Sequence, residues 1–327
     1  MNGIAPALGL GLLVTLATAT AQDLNIPRPV EELERELATA PFKIATAEIS
    51  RPKAKGDITL KAELSFGGQA PYRVKLRRAE PGGETFNNRP RYDLAAYELQ
   101  KLFLEPGEYV VPPTALRTVP LPELLPYAPA AQPTFRDSDE VFVVLQYWLQ
   151  EVKLIEDVYD PERFDVDFPY ARNIGQLNVF TWLIAHGDSN AGNFLISRAE
   201  SGARVFSVDN GVAFEFNESD RGQLWKALRV GRIPAQTAKR LRGITREELD
   251  RRLGIVGTWR NENGHWVAVP SGTNLDFSRG VRRKGDLVQM GLTHLEINSV
   301  WRRLTRLIEV IDEGGIGVTI GLPRSKK

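Results

Sequence analysis

Residues 185–214 read AHGDSNAGNFLISRAESGARVFSVDNGVAF, and this stretch carries the most informative motif spacing in the chain. It contains H-G-D-x-x-x-x-N, then the short apolar runs FLIS and VFSVD, and then D-N-G. A turn at residues 200–202 separates the two runs, so they are predicted to form a hairpin of two short strands. The hairpin would return Asp209 to the neighbourhood of Asp188 and Asn193.

These residue types at this spacing suit phosphoryl transfer. Asp188 can accept the proton of an attacking hydroxyl group. Asn193 and Asp209 offer the oxygen ligands that Mg²⁺ or Mn²⁺ needs to bridge the phosphates of ATP. Gly211 is expected to let the backbone turn away from the metal. The alternative is a plain turn, capped by Asp188 and Asn193, and His186 is expected to be a structural hydrogen-bonding residue.

The chain upstream carries the rest of the expected nucleotide site. The alternating runs ITLKAELSF and YRVKLR flank Gly67 and Gly68, which predicts an antiparallel hairpin. Lys75 lies in the second run, between Val74 and Leu76. Because side chains alternate along a strand, the lysine faces away from its two apolar neighbours and toward a cleft, where it can bind phosphate. The two glycines are the only candidate for a phosphate-binding turn.

A helix is predicted over Tyr92–Leu104, and it carries two acids that could pair with Lys75. They are Asp93 and Glu98, which lie on opposite flanks of the apolar stripe, so only one is expected to reach the lysine. The two acids therefore stay open as alternatives.

The apolar run Val141–Tyr147 predicts a buried strand. In a nucleotide site it would be the hinge strand whose backbone meets the adenine, with Gln146 and Tyr147 as the contact residues. The chain beyond Trp148 is predicted to be mainly helical, with helices at Gly222–Arg229, Pro234–Leu241, Thr245–Leu253 and Leu292–Ile311.

One stretch of this second half, Gly257–Gln289, has no clear period. Its aromatic and charged residues could line an acceptor site, although a structured loop with tucked aromatic rings is the favoured interpretation. These residues are Trp259, His265, Trp266, Arg282 and Arg283.

The quoted stretch resembles the protein-kinase-like superfamily, and most of all its atypical branches. HGDSNAGNFL resembles the catalytic loop of aminoglycoside phosphotransferases and phosphatidylinositol kinases. VDNGVAF is similar to the secretory-pathway (Golgi casein kinase) family, as are the G-Q-A turn at 68–70, the strand lysine Lys75 and the helix start DLAAY at 93–97. The chain departs from that family because it has no cysteine and no G-x-G-x-x-G loop.

The resemblance implies an α+β, two-lobed protein-kinase-like fold with a small antiparallel-sheet N-lobe and a mainly helical C-lobe. It implies ATP and Mg²⁺ or Mn²⁺ as cofactors, and it makes Asp93 the helix acid, with Glu98 as the alternative. The expected organisation is a signal peptide (1–21), a leader (22–43), the N-lobe (44–147) and the C-lobe (148–327).

The first segment carries no charged side chain and ends in a small-x-small pattern, A-T-A at 19–21, which is typical of a signal-peptidase site. Export to a periplasm, a secretory lumen or the medium is expected, with no membrane span after cleavage. The alternative is an uncleaved N-terminal membrane anchor.

Composition narrows the function further. The net charge of +1 argues against nucleic acid as a partner, and with no cysteine and three histidines a zinc site is not expected. The predicted function is a kinase that transfers the γ-phosphate of ATP to a hydroxyl acceptor: protein, sugar, lipid or small molecule. The alternatives are a non-catalytic kinase-fold nucleotide-binding or scaffold protein of the cell envelope, and a metal-dependent hydrolase that uses Asp188 and Asp209.

Overall fold

The computed structural model describes residues 23–50, 59–68, 70–85, 88–214, 222 and 224–319. Within them the protein is α+β, with an antiparallel sheet in the first half of the chain and most of the helical residues in the second. The predicted signal peptide and Gln69 of the expected G-Q-A turn lie outside the described residues. None of the described helices combines the length and apolar character needed to cross a bilayer.

The described helices are α1 (Val30–Thr39), α2 (Pro90–Gln100), α3 (Leu121–Leu124), α4 (Pro161–Val166), α5 (Phe168–Ile184), α6 (Ala235–Gly243), α7 (Arg246–Leu253) and α8 (His294–Asp312). The strands are β1 (Phe42–Ile49), β2 (Thr59–Phe66), β3 (Tyr72–Arg78), β4 (Thr114–Pro120), β5 (Glu140–Tyr147), β6 (Val152–Lys153), β7 (Phe194–Ser197), β8 (Val205–Ser207), β9 (Arg232–Pro234), β10 (Gly257–Glu262), β11 (His265–Ala268), β12 (Val281–Lys284), β13 (Leu287–Met290) and β14 (Gly317–Thr319).

The main sheet has the strand order β1-β2-β3-β5-β4, and every pair in it is antiparallel. The predicted hairpin of β2 and β3 is confirmed, with Thr59 opposite Arg77 at one end and Leu64 opposite Tyr72 at the Gly67 end. Strand β5 lies inside the sheet and every one of its residues is buried. Its continuous apolar run reflects a strand covered on both faces.

The segment expected to be a leader packs into this fold. Helix α1 contacts β4 and β5, and its Leu33 and Leu37 are fully buried in the main core. Strand β1 then begins at Phe42 and forms one edge of the sheet. Burial of these leucines stabilises the sheet by about 1.5–3 kcal/mol for each side chain.

Residues 257–290 form a second antiparallel sheet, in the order β11-β10-β13-β12, where the sequence predicted irregular structure. A local signal for it exists. Asn263 and Gly264 form the turn between β10 and β11, and both have the positive φ that a two-residue hairpin turn requires (55° and 92°). The strands are only four to six residues long, which weakens any periodic pattern.

The second half of the chain is otherwise close to prediction. Helices α6, α7 and α8 are confirmed within two residues at their ends. Thr293 and Glu296 form a capping box that starts α8. The helix predicted over Gly222–Arg229 is wrong, because within it only a 3-10 turn is described, at Leu224–Lys226.

Candidate functional site

Lys75 and Asp209 are brought into contact from distant parts of the chain. The lysine lies in the middle of β3, and its Nζ is 3.1 Å from Oδ1 of Asp209. Both side chains are partly exposed, at 17% and 27%. The contact therefore joins the main sheet to the D-N-G segment at a place that a solute can reach.

The backbone at Asp209 is held in an uncommon conformation. Its φ is +62°, in the left-handed region that few residues other than glycine adopt. The neighbouring turn is fixed by the buried Asn210, whose Oδ1 accepts a hydrogen bond of 2.8 Å from Oγ of Ser207. A strained backbone held by its surroundings is a frequent property of functional sites.

Asp188 and Asn193 share the loop that follows α5. The side-chain amide of Asn193 donates to the Asp188 carbonyl at 2.7 Å, which turns its Oδ1 away from that carbonyl. The Asp188 carboxylate accepts a hydrogen bond of 2.7 Å from Nδ2 of Asn190. The loop thus orients one carboxylate and one amide oxygen by its own hydrogen bonds.

Backbone hydrogen bonds join this loop to the D-N-G segment. The N–H of Val208 donates to the Asn193 carbonyl at 2.9 Å, and the N–H of Gly187 donates to the Val212 carbonyl at 2.8 Å. The two bonds lie on either side of Asp209 and lock the two motifs side by side. The predicted convergence of the motifs is thus present in the backbone.

His186 lies beneath the loop and is fully buried. Burial lowers its pKa to about 4, although the nearby Asp188 carboxylate opposes the shift. Its Nδ1 is 3.3 Å from the N–H of Asp188 and accepts that hydrogen bond, so the neutral ring carries its proton on Nε2. A neutral, buried ring at neutral pH supports the loop structurally, as expected.

Arg77 is the member of the site that the sequence analysis missed. Its Nη1 donates to Oδ2 of Asp93 at 2.9 Å, and its Nη2 donates to Oδ1 of Asp209. It lies two residues after Lys75 on the same strand and therefore on the same face. That spacing was the available signal, but it does not distinguish Arg77 from Arg73, which lies on the same face and pairs with Glu63 with its own side chain 60% exposed.

Gly211 makes room for this arginine. A Cβ atom at Gly211 would lie 2.3 Å from Nη1 of Arg77 and 3.4 Å from Oδ2 of Asp93. The sequence predicted that the glycine allows a backbone turn away from the metal, whereas the structure shows that it leaves room for the guanidinium of Arg77. The left-handed residue of D-N-G is Asp209, and the glycine is needed for close packing.

The two candidate helix acids have different partners. Asp93 is buried and reaches the site through Arg77. Glu98 pairs with Lys101 at 2.6 Å and with Arg252 at 2.9 Å. Among the described contacts Lys75 pairs with Asp209, and a pairing of either helix acid with the lysine stays a prediction.

Gly67 and Gly68, the expected phosphate-binding turn, follow the last residue of β2, whereas Arg77 lies opposite Thr59, its first residue. Gly67 lines an open groove of about 430 Å³ together with Glu32 and Glu36 of α1. Arg35 also lines this groove, and Arg28 pairs with both carboxylates, so a phosphate-binding role for Gly67 and Gly68 stays a prediction.

Gln146 and Tyr147, the predicted adenine contacts, are buried at the end of β5. Gln146 is opposite Lys75 on one side and Thr114 on the other, and its Nε2 donates to the Thr114 hydroxyl at 3.0 Å. The N–H of Tyr147 donates to the Pro113 carbonyl at 2.9 Å, so that group is already bonded within the protein. Adenine contacts at this strand stay a prediction.

The oxygen donors of the site fit a hard cation bound together with phosphate. Asp209 supplies a carboxylate and Asn193 an amide oxygen, and Mg²⁺ in nucleotide sites often takes one or two protein ligands plus phosphates and water. Within the described part of the chain, no group of three or more His, Cys, Asp or Glu residues could hold a metal ion.

The aromatic residues proposed to line an acceptor site belong to a core instead. Trp259 and Trp266 are 5% and 4% exposed and pack edge-on or tilted against Phe142 of β5. Arg282 is buried and bonds to backbone carbonyl groups of Gly254, Leu292 and Arg279. The favoured interpretation, that the aromatic rings are buried, is therefore confirmed, but the rings lie on the strands β10 and β11 and not in a loop. His265 and Arg283 are the exposed members of this set. His265 lies near Glu140, and Arg283 pairs with Asp137.

No protein-family model matches the chain, and no curated protein matches it.

Proposed function

We propose that the chain is an ATP-dependent phosphotransferase with a two-lobed, protein-kinase-like fold. The observation that carries the proposal is the contact between Lys75 and Asp209, 3.1 Å apart. A strand lysine, a D-N-G carboxylate and an H-G-D-x4-N loop come together at one partly exposed place. Their chemistry supplies the cations, the metal ligands and the proton acceptor that phosphoryl transfer uses.

Each group has a role in this proposal. Lys75 binds the phosphates of ATP, while Asn193 and Asp209 hold Mg²⁺ or Mn²⁺. Asp188 orients the acceptor hydroxyl and takes its proton. The acceptor oxygen forms a bond to the γ-phosphorus as the bond from that phosphorus to the β–γ bridging oxygen breaks, and ADP leaves. The bound cation supplies charge neutralisation for the phosphate oxygens.

The acceptor class stays open among protein, sugar, lipid and small molecule. Export, as the sequence predicts it, is part of the proposal, and the reaction then requires ATP in the same compartment. The segment that carries this expectation, residues 1–21, lies outside the described residues.

A non-catalytic kinase-fold protein is the second candidate, and one observation favours it. Oδ1 of Asp209 is engaged by Lys75 and by Arg77 at the same time. A ligand oxygen paired with two protein cations can serve a purely structural network. In that case the chain would act through its surface, as a nucleotide-binding or scaffold protein of the cell envelope.

Two carboxylate variants and labelled ATP distinguish the candidates. We expect Asp188→Asn to keep binding of ATP with Mn²⁺ and to lose phosphoryl transfer by at least about 10²-fold. Asp209→Asn is expected to lose both. Binding is measured by calorimetry, and transfer by label appearing in the protein itself or in a mixed panel of hydroxyl acceptors.

The control is Asp165→Asn, at a surface carboxylate of α4 that is 72% exposed and pairs only with the partly exposed Arg232 among the described contacts. If wild type binds Mn²⁺·ATP, transfers no label and hydrolyses no ATP, the enzyme assignment is wrong and the binding protein replaces it. If wild type binds no nucleotide, the enzyme and the nucleotide-binding protein are both wrong, and the scaffold that acts through its surface replaces them.

A further inference from the structure

Arg77 contacts Asp209, the carboxylate that is predicted to bind the metal. It bridges Asp93 and Asp209 through its two terminal nitrogens, and its side chain is only 4% exposed. Asp93 is equally buried, at 3%. The guanidinium is therefore a fixed part of the site and not a surface charge that solvent screens.

The space around the guanidinium is shaped for it. A Cβ at Gly211 would overlap Nη1 of Arg77, so any side chain at this position would have to displace the guanidinium from its bridge. The sheet, helix α2 and the D-N-G segment all meet at this one side chain. A planar guanidinium with two donor edges suits such a bridge, and a lysine at the same position does not.

Among the contacts that the structure describes, the four charges of this cluster cancel. Lys75 and Arg77 contribute two positive charges, and Asp93 and Asp209 contribute two negative charges. A divalent cation at Asp209 would therefore stand beside two protein cations, with no excess negative charge from this group to attract it. The phosphates of ATP bring that negative charge, so metal and nucleotide should bind together.

We propose that Arg77 makes metal binding conditional on the nucleotide: its charge balances Asp209 and suppresses binding of the free cation. This inference rests on the proposed function, since it concerns the same site. Arg77 is a positioning and charge-balancing residue that acts through Asp209 and touches neither the acceptor nor the transferred phosphoryl group.

The test is binding of Mn²⁺ alone, followed by the loss of the spin-resonance signal of the free ion, and then binding with the β,γ-imido analogue of ATP. Three variants change the charge of the cluster in steps. Arg77→Met makes it −1, Asp93→Asn makes it +1, and the double variant returns it to zero. Circular dichroism and thermal unfolding check that each variant folds.

We expect wild type and the double variant to bind Mn²⁺ alone weakly and to bind it well with the analogue. Arg77→Met should bind Mn²⁺ alone at least about tenfold more tightly than wild type, and Asp93→Asn at least about tenfold less tightly. If Arg77→Met fails to fold, the effect of removing the Arg77 charge is measured instead by comparing the Mn²⁺ affinity of the double variant with that of Asp93→Asn. A purely structural arginine would weaken Mn²⁺ binding in every variant.

The outcomes separate the two proposals. If wild type binds Mn²⁺ with the analogue but removal of the Arg77 charge does not tighten binding of Mn²⁺ alone, this inference is overturned and the proposed function stands. If wild type binds the metal–analogue pair under no condition, the proposed function is overturned, and this inference with it.

Discussion

Arg91 of α2 and Glu296 of α8 form a buried ion pair, with Nη1 2.6 Å from Oε2. The arginine side chain is 5% exposed and the glutamate side chain 11%. The hydroxyl of Tyr92 and the N–H of Thr293 also donate to this carboxylate. The pair therefore joins α2, the helix that carries Asp93, to α8.

Glu296 makes the stability of the fold depend on pH. Burial alone would raise the pKa of Glu296, but the hydrogen bonds and charge of Arg91 outweigh burial and hold the pKa below the usual 4.5. A carboxyl group with a lowered folded-state pKa stabilises the fold above its unfolded pKa, and this contribution disappears as the pH falls through the folded value. We expect Glu296→Gln to lower the free energy of unfolding at neutral pH by about 3–5 kcal/mol. The pH dependence of stability should also become flatter below about pH 4.5. Urea unfolding between about pH 3 and pH 7 measures both effects.

Glu309→Gln is the control for this experiment. Glu309 lies on the same helix in an exposed pair with Arg306, where its side chain is 52% exposed. Its replacement should change the free energy of unfolding by less than about 1 kcal/mol. Equal acid sensitivity in the Glu296 variant and wild type would contradict the role of the buried pair.

Lys75 is predicted to be needed for nucleotide binding. Lys75→Met should weaken binding of ATP with Mn²⁺ by at least about tenfold, because a cation that meets the phosphates is lost. Lys61→Met is the matched control, since Lys61 lies directly opposite on β2 and pairs with Glu48 at 3.0 Å. Calorimetry on both variants measures the difference. Equal loss in the two variants would mean that the lysine face acts only as a general positive surface.

Gly211 is predicted to tolerate no side chain. Gly211→Ala forces a methyl group onto Nη1 of Arg77, and we expect a loss of about 1–3 kcal/mol in the free energy of unfolding. Gly107→Ala is the control, because no atom lies within 4 Å of a Cβ built there. Thermal and urea unfolding of both variants test this. An unchanged stability of Gly211→Ala would mean that the guanidinium moves aside freely.

Trp266 is predicted to stabilise the protein without taking part in acceptor binding. Trp266→Ala should lower the free energy of unfolding by about 3–5 kcal/mol, because it removes a large buried ring. Binding of ATP with Mn²⁺ should be kept at temperatures where the variant is folded. Val267→Ala is the control, since the next side chain is 42% exposed. Normal stability with a lost acceptor reaction would return Trp266 to the acceptor site.

The parts of the site that depend on local spacing could be predicted from the sequence. Asp188, Asn193 and Asp209 lie within one hairpin and its flanking loops, so their spacing alone predicted that the motifs meet. The bridge through Arg77 depends instead on how β3, α2 and the D-N-G segment pack, and no local pattern encodes that arrangement. For the same reason, Asp93 could be identified as a helix acid while its partner could not.

The fold shows the same division. Long elements such as β5 and α8 were predicted, because burial imposes a clear pattern on them. The strands β10 to β13 were missed, since each is short and its inward side chains find their partners on the distant strand β5. Two local signals were available, the Asn263-Gly264 turn between β10 and β11 and the Gly285-Asp286 turn between β12 and β13. Each marks a single hairpin and does not predict how the two hairpins pair.

The pairing of Phe142 with Trp259 and Trp266 also has a consequence for the order in which the chain is made. Strand β5 leaves the ribosome long before the two tryptophans that pack against Phe142, so part of this sheet face stays uncovered while the middle of the chain is synthesised, although Phe135 already packs against Phe142. An uncovered apolar sheet face is prone to aggregate or to bind a chaperone. The first half of the chain is therefore not expected to reach its final structure by itself, and a nascent chain that stops before residue 257 should remain a client of the folding machinery.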